Sequence, residues 1–142
     1  MERELNKLNL YTENVTAHTC DEIGLIEKAI TIEESKYITL RDWSSDDLTH
    51  KICNILIRDL KHIFQRLINL NDLVEAKVQG RPIDDFVTEA NHISSDIVET
   101  LVDISIYCDG VSSAINNNIF IGDLMTDTKN IAEWAIRAFN TI

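Results

Sequence analysis

Apolar residues recur at helical spacing along most of the chain. Ile83, Phe86, Ala90, Ile93, Ile97, Leu101, Ile104 and Cys108 follow one another at steps of three or four, which puts them on one face of a helix. Past residue 97 that face loses its polar opposite, because Val98, Val102 and Ile106 fall on other sides of the axis. A helix that is apolar nearly all round has no face that meets water cheaply and belongs in a core. The pattern predicts a buried central helix over about residues 83–108, roughly 39 Å long at 1.5 Å per residue. Val98, Leu101, Val102 and Ile104 are expected to be nearly inaccessible, with the other elements packed around this axle.

The segment before it keeps a coiled-coil-like rhythm. Ile52, Leu56, Leu60, Ile63, Leu67, Leu70 and Val74 form the stripe, and Ile57 and Phe64 widen it. Ser45-Asp46-Asp47 supplies an N-cap followed by acids. Asn69 and Asn71 are expected to break this helix into a long piece and a short one ending near Gln79. Gly80-Arg81-Pro82 stops it, since Gly suits the position after a helix and Pro cannot continue the bonding.

Nearer the N-terminus, Asp21 to Glu33 reads as a short amphipathic helix with Ile23, Leu25, Ile26 and Ile30 inward and acids at its start. Residues 2–17 are polar, with Leu5, Leu8, Leu10 and Val15 scattered through them, and suit at most a short amphipathic helix. Lys36 to Trp43 carries β-branched residues and reads as an extended connector, with no partner strand elsewhere. Trp43 and Trp134 are expected as core anchors. Asp109-Gly110 is expected to end the central helix, and residues 111–119, with three consecutive Asn, to form turns. Thr126 or Asp127 can cap a last helix that sets Ile131, Trp134, Ala135, Ala138 and Phe139 on one side. The expectation is a single all-α domain over residues 1–142, with six or seven helices, no repeat and no linker.

Composition narrows the partners. The 142 residues are 44% hydrophobic, enough for a sizeable core, and four Gly with one Pro leave little for a many-turned β-fold. A formal charge of −11 repels nucleic acid and anionic membrane, so neither is expected as a partner, and a basic or mixed protein surface is the natural one. Cys20, Cys53 and Cys108 are an odd number without metal-type pairing and suit reduced thiols in a cytoplasm. Met1 to Leu10 is charged and lacks the apolar core of a secretory signal, so the Asn14-Val15-Thr16 sequon is expected to go unused. Heavy use of Ile and Asn fits an AT-rich genome, as in many viruses and some bacteria.

No phosphate-cradling Gly loop, nucleophile elbow, C-x-x-C or H-E-x-x-H is present, and no cofactor is expected. One constellation carries a chemical alternative. Asp85, Glu89, His92, Asp96, Glu99 and Asp103 make an acidic stripe beside the apolar one. If the two long helices pair antiparallel about residues 80–81, Asp59 and His62 come level with Glu99 and Asp103. Carboxylates and imidazoles on facing helices build the metal sites of helical bundles. The all-α nucleoside triphosphate pyrophosphohydrolases hold magnesium in this way, but their E-E-x-x-E and E-x-x-D patterns are not met by Arg58–His62 or Thr100–Asp103. A solvated face on a chain with 24 acidic residues is the plainer account.

Three segments carry a resemblance: EIGLIEKAIT at Glu22–Thr31, LNDLVEAKVQGRPIDDF at Leu70–Phe86, and DLMTD at Asp123–Asp127, with one further helix before the end. In this order they resemble the short poxvirus proteins of the Bcl-2-like immunomodulator family, best known from vaccinia. The resemblance runs loosely from residue 20 onward, and its motifs are structural. It implies a Bcl-2-like bundle and a non-enzymatic viral protein of the host cell cytoplasm. Such a protein binds host innate-signalling proteins and inhibits activation of NF-κB and interferon regulatory factors. A minority of the family bind BH3 helices and block apoptosis. The Asn-Trp-Gly-Arg element of cellular groove-binders is missing here, which favours the signalling inhibitors. In the family, surfaces from the N-terminal helices and from the helix after the central one serve partner contact or self-association. This points to Asp21, Glu22, Ile26, Glu27 and Ile30 as the partner-binding face, and to a homodimer as one use of it. Asp21, Glu22, Glu27, Glu33 and Glu34 would give such a face a negative field that speeds encounter with a basic partner.

Overall fold

The structure is a computed structural model that describes residues 4–10, 14–112 and 119–139. Four helices account for nearly all of it: α1 (Ala17–Trp43), α2 (Asp47–Val78), α3 (Phe86–Ser112) and α4 (Ile119–Phe139). Each packs against the next, and α4 returns to α1, so the four form a closed ring around a shared core. The pairing is antiparallel. Between α1 and α2, Glu34 meets Lys61 at 4.0 Å and Arg41 meets Asn54 at 3.1 Å, so one number rises as the other falls. This is the up-and-down arrangement that short connections favour. Among the described residues no helix is long and apolar enough to cross a membrane.

The all-helical expectation is met, but four helices stand among the described residues where six or seven were expected. The difference comes from merged elements. Lys36 to Trp43 is not an extended connector; it is the last two turns of α1. Tyr37 is fully buried there and Ile38 and Leu40 pack on the core, so burial overrides the β-branched local preference. Asn69 and Asn71 do not break α2, which runs through 32 residues, because Leu67, Leu70 and Val74 on either side of them are fully buried. Nor does Thr126 or Asp127 cap α4. The Thr126 hydroxyl donates to the Gly122 carbonyl inside the helix, and buried Ile121 and Met125 extend the core stripe one turn earlier. Residues 4–10 and 14–16 are not helical, yet Leu8 and Leu10 are buried and the Leu8 N–H donates to the Ala138 carbonyl at 2.9 Å. The triple Asn lies outside the described residues.

Both end signals expected of α2 hold. Asp46 caps α2, its carboxylate accepting from the Thr49 N–H at 3.0 Å and the Thr49 hydroxyl at 2.7 Å. Gly80 stops the same helix with φ +81°. The Gly80 N–H reaches the Lys77 carbonyl and the Arg81 N–H reaches that of Ala76, the paired bonds of a left-handed C-terminal cap.

The central-helix reading needs correction. α3 starts at Phe86, and Asp109-Gly110 does not end it. Leu101 and Ile104 are inaccessible as expected. Val98, however, is half-buried, Val102 is 38% exposed and Ile106 is 66% exposed. α3 is one of four walls, with a face left to solvent, and the apolar residues there are of the kind that protein surfaces commonly carry.

Candidate functional site

Two surfaces and one buried cluster hold the chemistry-bearing residues. The first surface is the cleft between α2 and α3, where the acidic stripe lies. His62 Nε2 and Arg66 Nε each stand 2.9 Å from the same Asp96 carboxylate oxygen. His62 thus faces Asp96, one turn before the expected Glu99, so the two helices pair about residue 79 and not about 80–81. Asp59 pairs with its own neighbour Arg58 at 3.2 Å. Asp85, Glu89 and His92 line one end of the cleft with Arg66 and Thr88, around a volume of about 470 Å³, and Glu99 lines the adjoining end. Among the described residues no three His, Cys, Asp or Glu converge closely enough to hold a metal ion. The stripe exists, but its carboxylates are spread along the cleft and Asp96 is engaged by both Arg66 and His62.

The second surface is the outer face of the last four turns of α1. Ile32, Leu40 and Trp43 form its apolar side, and Thr31, Ser35 and Thr39 its hydroxylated side, around a shallow volume of about 560 Å³. Trp43, expected as a core anchor, is 87% exposed. It is the last residue of α1, and the chain turns at Ser44 before the core can cover it. Trp134 is buried, as expected. Among the described residues, Lys36 is the one charged residue lining this face. No sequence signal separated Trp43 from a core aromatic, since its spacing from Tyr37 and Leu40 fits an inward position as well.

The five residues expected to bind a partner do not share a surface. Ile26 and Ile30 are core residues. Glu22 is buried, with the Asn6 N–H donating to one carboxylate oxygen at 3.2 Å and His18 3.4 Å from the other. Glu27 is half-buried, and its carboxyl is pushed up by burial and by the nearby Asp72. Of the five, Asp21 alone is exposed.

The buried cluster joins α1 to α4. Glu33 is 1% exposed, and burial pushes its carboxyl up to about 7. The Thr128 hydroxyl donates to one of its oxygens at 2.7 Å, Lys36 Nζ lies 3.2 Å from the other, and the Tyr37 hydroxyl stands 2.7 Å from that of Thr128. The three thiols are free. Burial pushes Cys53 to about 11 and Cys108 to about 12, so neither is poised as a thiolate nucleophile at neutral pH.

Over the described residues, these features define an acidic protein of four helices with an exposed apolar helix face. Comparison with protein-family models, curated proteins and solved structures gives no match.

Proposed function

We propose that the chain is a non-enzymatic binding protein whose docking face is the outer side of α1 from Thr31 to Trp43. The observation that carries this reading is Trp43, a large aromatic left 87% exposed in line with the 47% exposed Ile32. Exposed aromatics of this kind act as anchors in interfaces, where they dominate affinity. The face is three to four turns long, and its hydroxylated side is low enough to let a second backbone approach. An apolar helix face of a partner protein fits that shape. With −11 on the chain, the charges flanking such a helix would be basic.

The three segments that resemble the poxvirus Bcl-2-like immunomodulators give this reading its biological form. The chain would act as a viral inhibitor of innate immune signalling, engaging a host component on the route to NF-κB or interferon regulatory factors in the host cytoplasm. That assignment, and the Bcl-2-like relationship itself, rest on those segments alone.

The experiment is a pair of reporter assays, one for NF-κB and one for interferon regulatory factors, in cells expressing the wild type or Ile32→Ser with Trp43→Ser. Neither replaced side chain is buried, so the fold should survive, as circular dichroism would check. Inhibition by the wild type that falls at least tenfold in potency in the double variant is the expected result. Equal inhibition by both proteins would remove the α1 face from the proposal. No inhibition by the wild type in either assay would remove the immune-signalling assignment.

A further inference from the structure

Of the four seams between neighbouring helices, that between α1 and α4 is the thinnest. The side-chain bonds across it gather at one place. Glu33 and Tyr37 both reach Thr128, and Lys36 reaches Asp127 at 3.4 Å. At the centre is a carboxylate with almost no access to water.

Thr128 has a single hydroxyl proton and three neighbours for it. Its Oγ1 lies 2.7 Å from Glu33, 2.7 Å from the Tyr37 oxygen and 2.9 Å from the Leu124 carbonyl. With Glu33 ionised, the proton goes to Glu33, Tyr37 donates to Thr128, and the Leu124 carbonyl loses this second donor. With Glu33 protonated, Glu33 and Tyr37 both donate to the two lone pairs of Thr128, and the Thr128 proton returns to Leu124. Either state has a complete set of bonds; they differ in direction and in charge.

The charges around the cluster come from all four helices. α1 supplies Lys36 and Tyr37, and α4 supplies Asp127. α3 supplies Cys108, with Asp109 beyond it paired to Lys129 of α4 at 2.9 Å, and α2 supplies Cys53 near Tyr37. Burial raises Tyr37, Cys53 and Cys108, which keeps all three neutral near pH 7. Ionised Glu33 and Asp127 are therefore two negative charges sharing one ammonium, Lys36. Protonating Glu33 leaves Lys36 and Asp127 as a matched pair.

We propose that Glu33 is a proton-operated clasp on the α1/α4 seam: protonated, it closes the seam, and ionised, it leaves an excess buried negative charge that loosens α4. Burial pushes the Glu33 carboxyl from its ordinary 4.5 up to about 7, so both states are populated near neutral pH. The folded state then binds the proton more tightly than the open one. The stabilisation is complete below the ordinary value and is lost as pH rises through about 7. If opening returns Glu33 to water, the opening equilibrium should grow on the order of fifty-fold between pH 5 and pH 8.

The test is amide hydrogen exchange in α4 across pH 5 to 8, corrected for intrinsic rates, in the wild type and Glu33→Gln. Carbon-13 carboxyl titration of Glu33 in the wild type accompanies it. Gln is isosteric and permanently neutral, and it keeps a donor for Thr128. The expected result is a wild-type opening equilibrium that climbs with pH, a variant that stays closed, and a Glu33 titration near neutrality. A Glu33 carboxyl titrating in the ordinary range overturns the proposal, even if the variant fails to fold. An unchanged pH dependence in a folded Glu33→Gln does the same.

Discussion

Leu101 and Val102 are consecutive on α3 and lie on opposite sides of its wall, which makes them a sharp test of the bundle. Leu101 is fully buried and Val102 is 38% exposed. Leu101→Ala removes core methylenes and leaves a cavity the neighbouring helices only partly fill, a combined cost of about 2–5 kcal/mol. For a chain of this length about 4 °C is lost per kcal/mol, so the midpoint should fall by roughly 8–20 °C. Val102→Ala loses only surface contact, worth within about 0.5 kcal/mol. Alanine's higher helix propensity returns about the same amount, so the net change should be near zero. Thermal and urea unfolding of the three proteins, with unchanged m-values as a check on two-state behaviour, measures both costs. Equal losses at the two positions would mean that α3 is surrounded on all sides, and the four-walled ring would be wrong.

Substitutions at two further positions test the helix ends. Gly80→Ala should cost about 1–2 kcal/mol, because φ +81° is unfavourable for any residue with a Cβ. No atom lies within 4 Å of that Cβ, so Gly80→Asn, which tolerates this conformation, should recover part of the loss in urea unfolding. Asp46→Ala should speed exchange of the Thr49 amide. The Thr49 bonds hold the Asp46 carboxyl below its ordinary 3.8, so the cap is present above that value and is lost as pH falls through the lowered one. Wild-type protein should therefore show the same local fraying in strong acid.

The α2 stripe was legible because every one of its seven apolar positions, from Ile52 to Val74, meets the core in one unbroken register. The caps at Asp46 and Gly80 were legible because they depend on residues within a few places of each other. What the sequence hid depends on distant partners. Tyr37 extends α1 because its hydroxyl finds Thr128, 91 residues away, and no local preference records that. Glu33 reads as one more acid on a helix rich in them; its partner lies 95 residues further on. The acidic stripe beside α3 was placed on the correct cleft. Its register against α2 differs by a turn, because the His62–Asp96 contact puts the pairing point at residue 79, ahead of the expected 80–81. Glu22, Ile26 and Ile30 lie in a segment marked by likeness of sequence, and likeness does not separate a core residue from an exposed one.

The two indoles occupy opposite extremes of environment, Trp43 at 87% exposure and Trp134 at 6%. An indole's emission shifts red as water dipoles relax around its excited state, so the native spectrum is the sum of a red component and a blue one. A small neutral quencher such as acrylamide should extinguish the red component first and leave Trp134 emitting. An apolar surface laid over the end of α1 would shield and blue-shift Trp43 alone. The chain thus carries an intrinsic optical probe at its exposed face and an internal reference in its core, and neither requires a label.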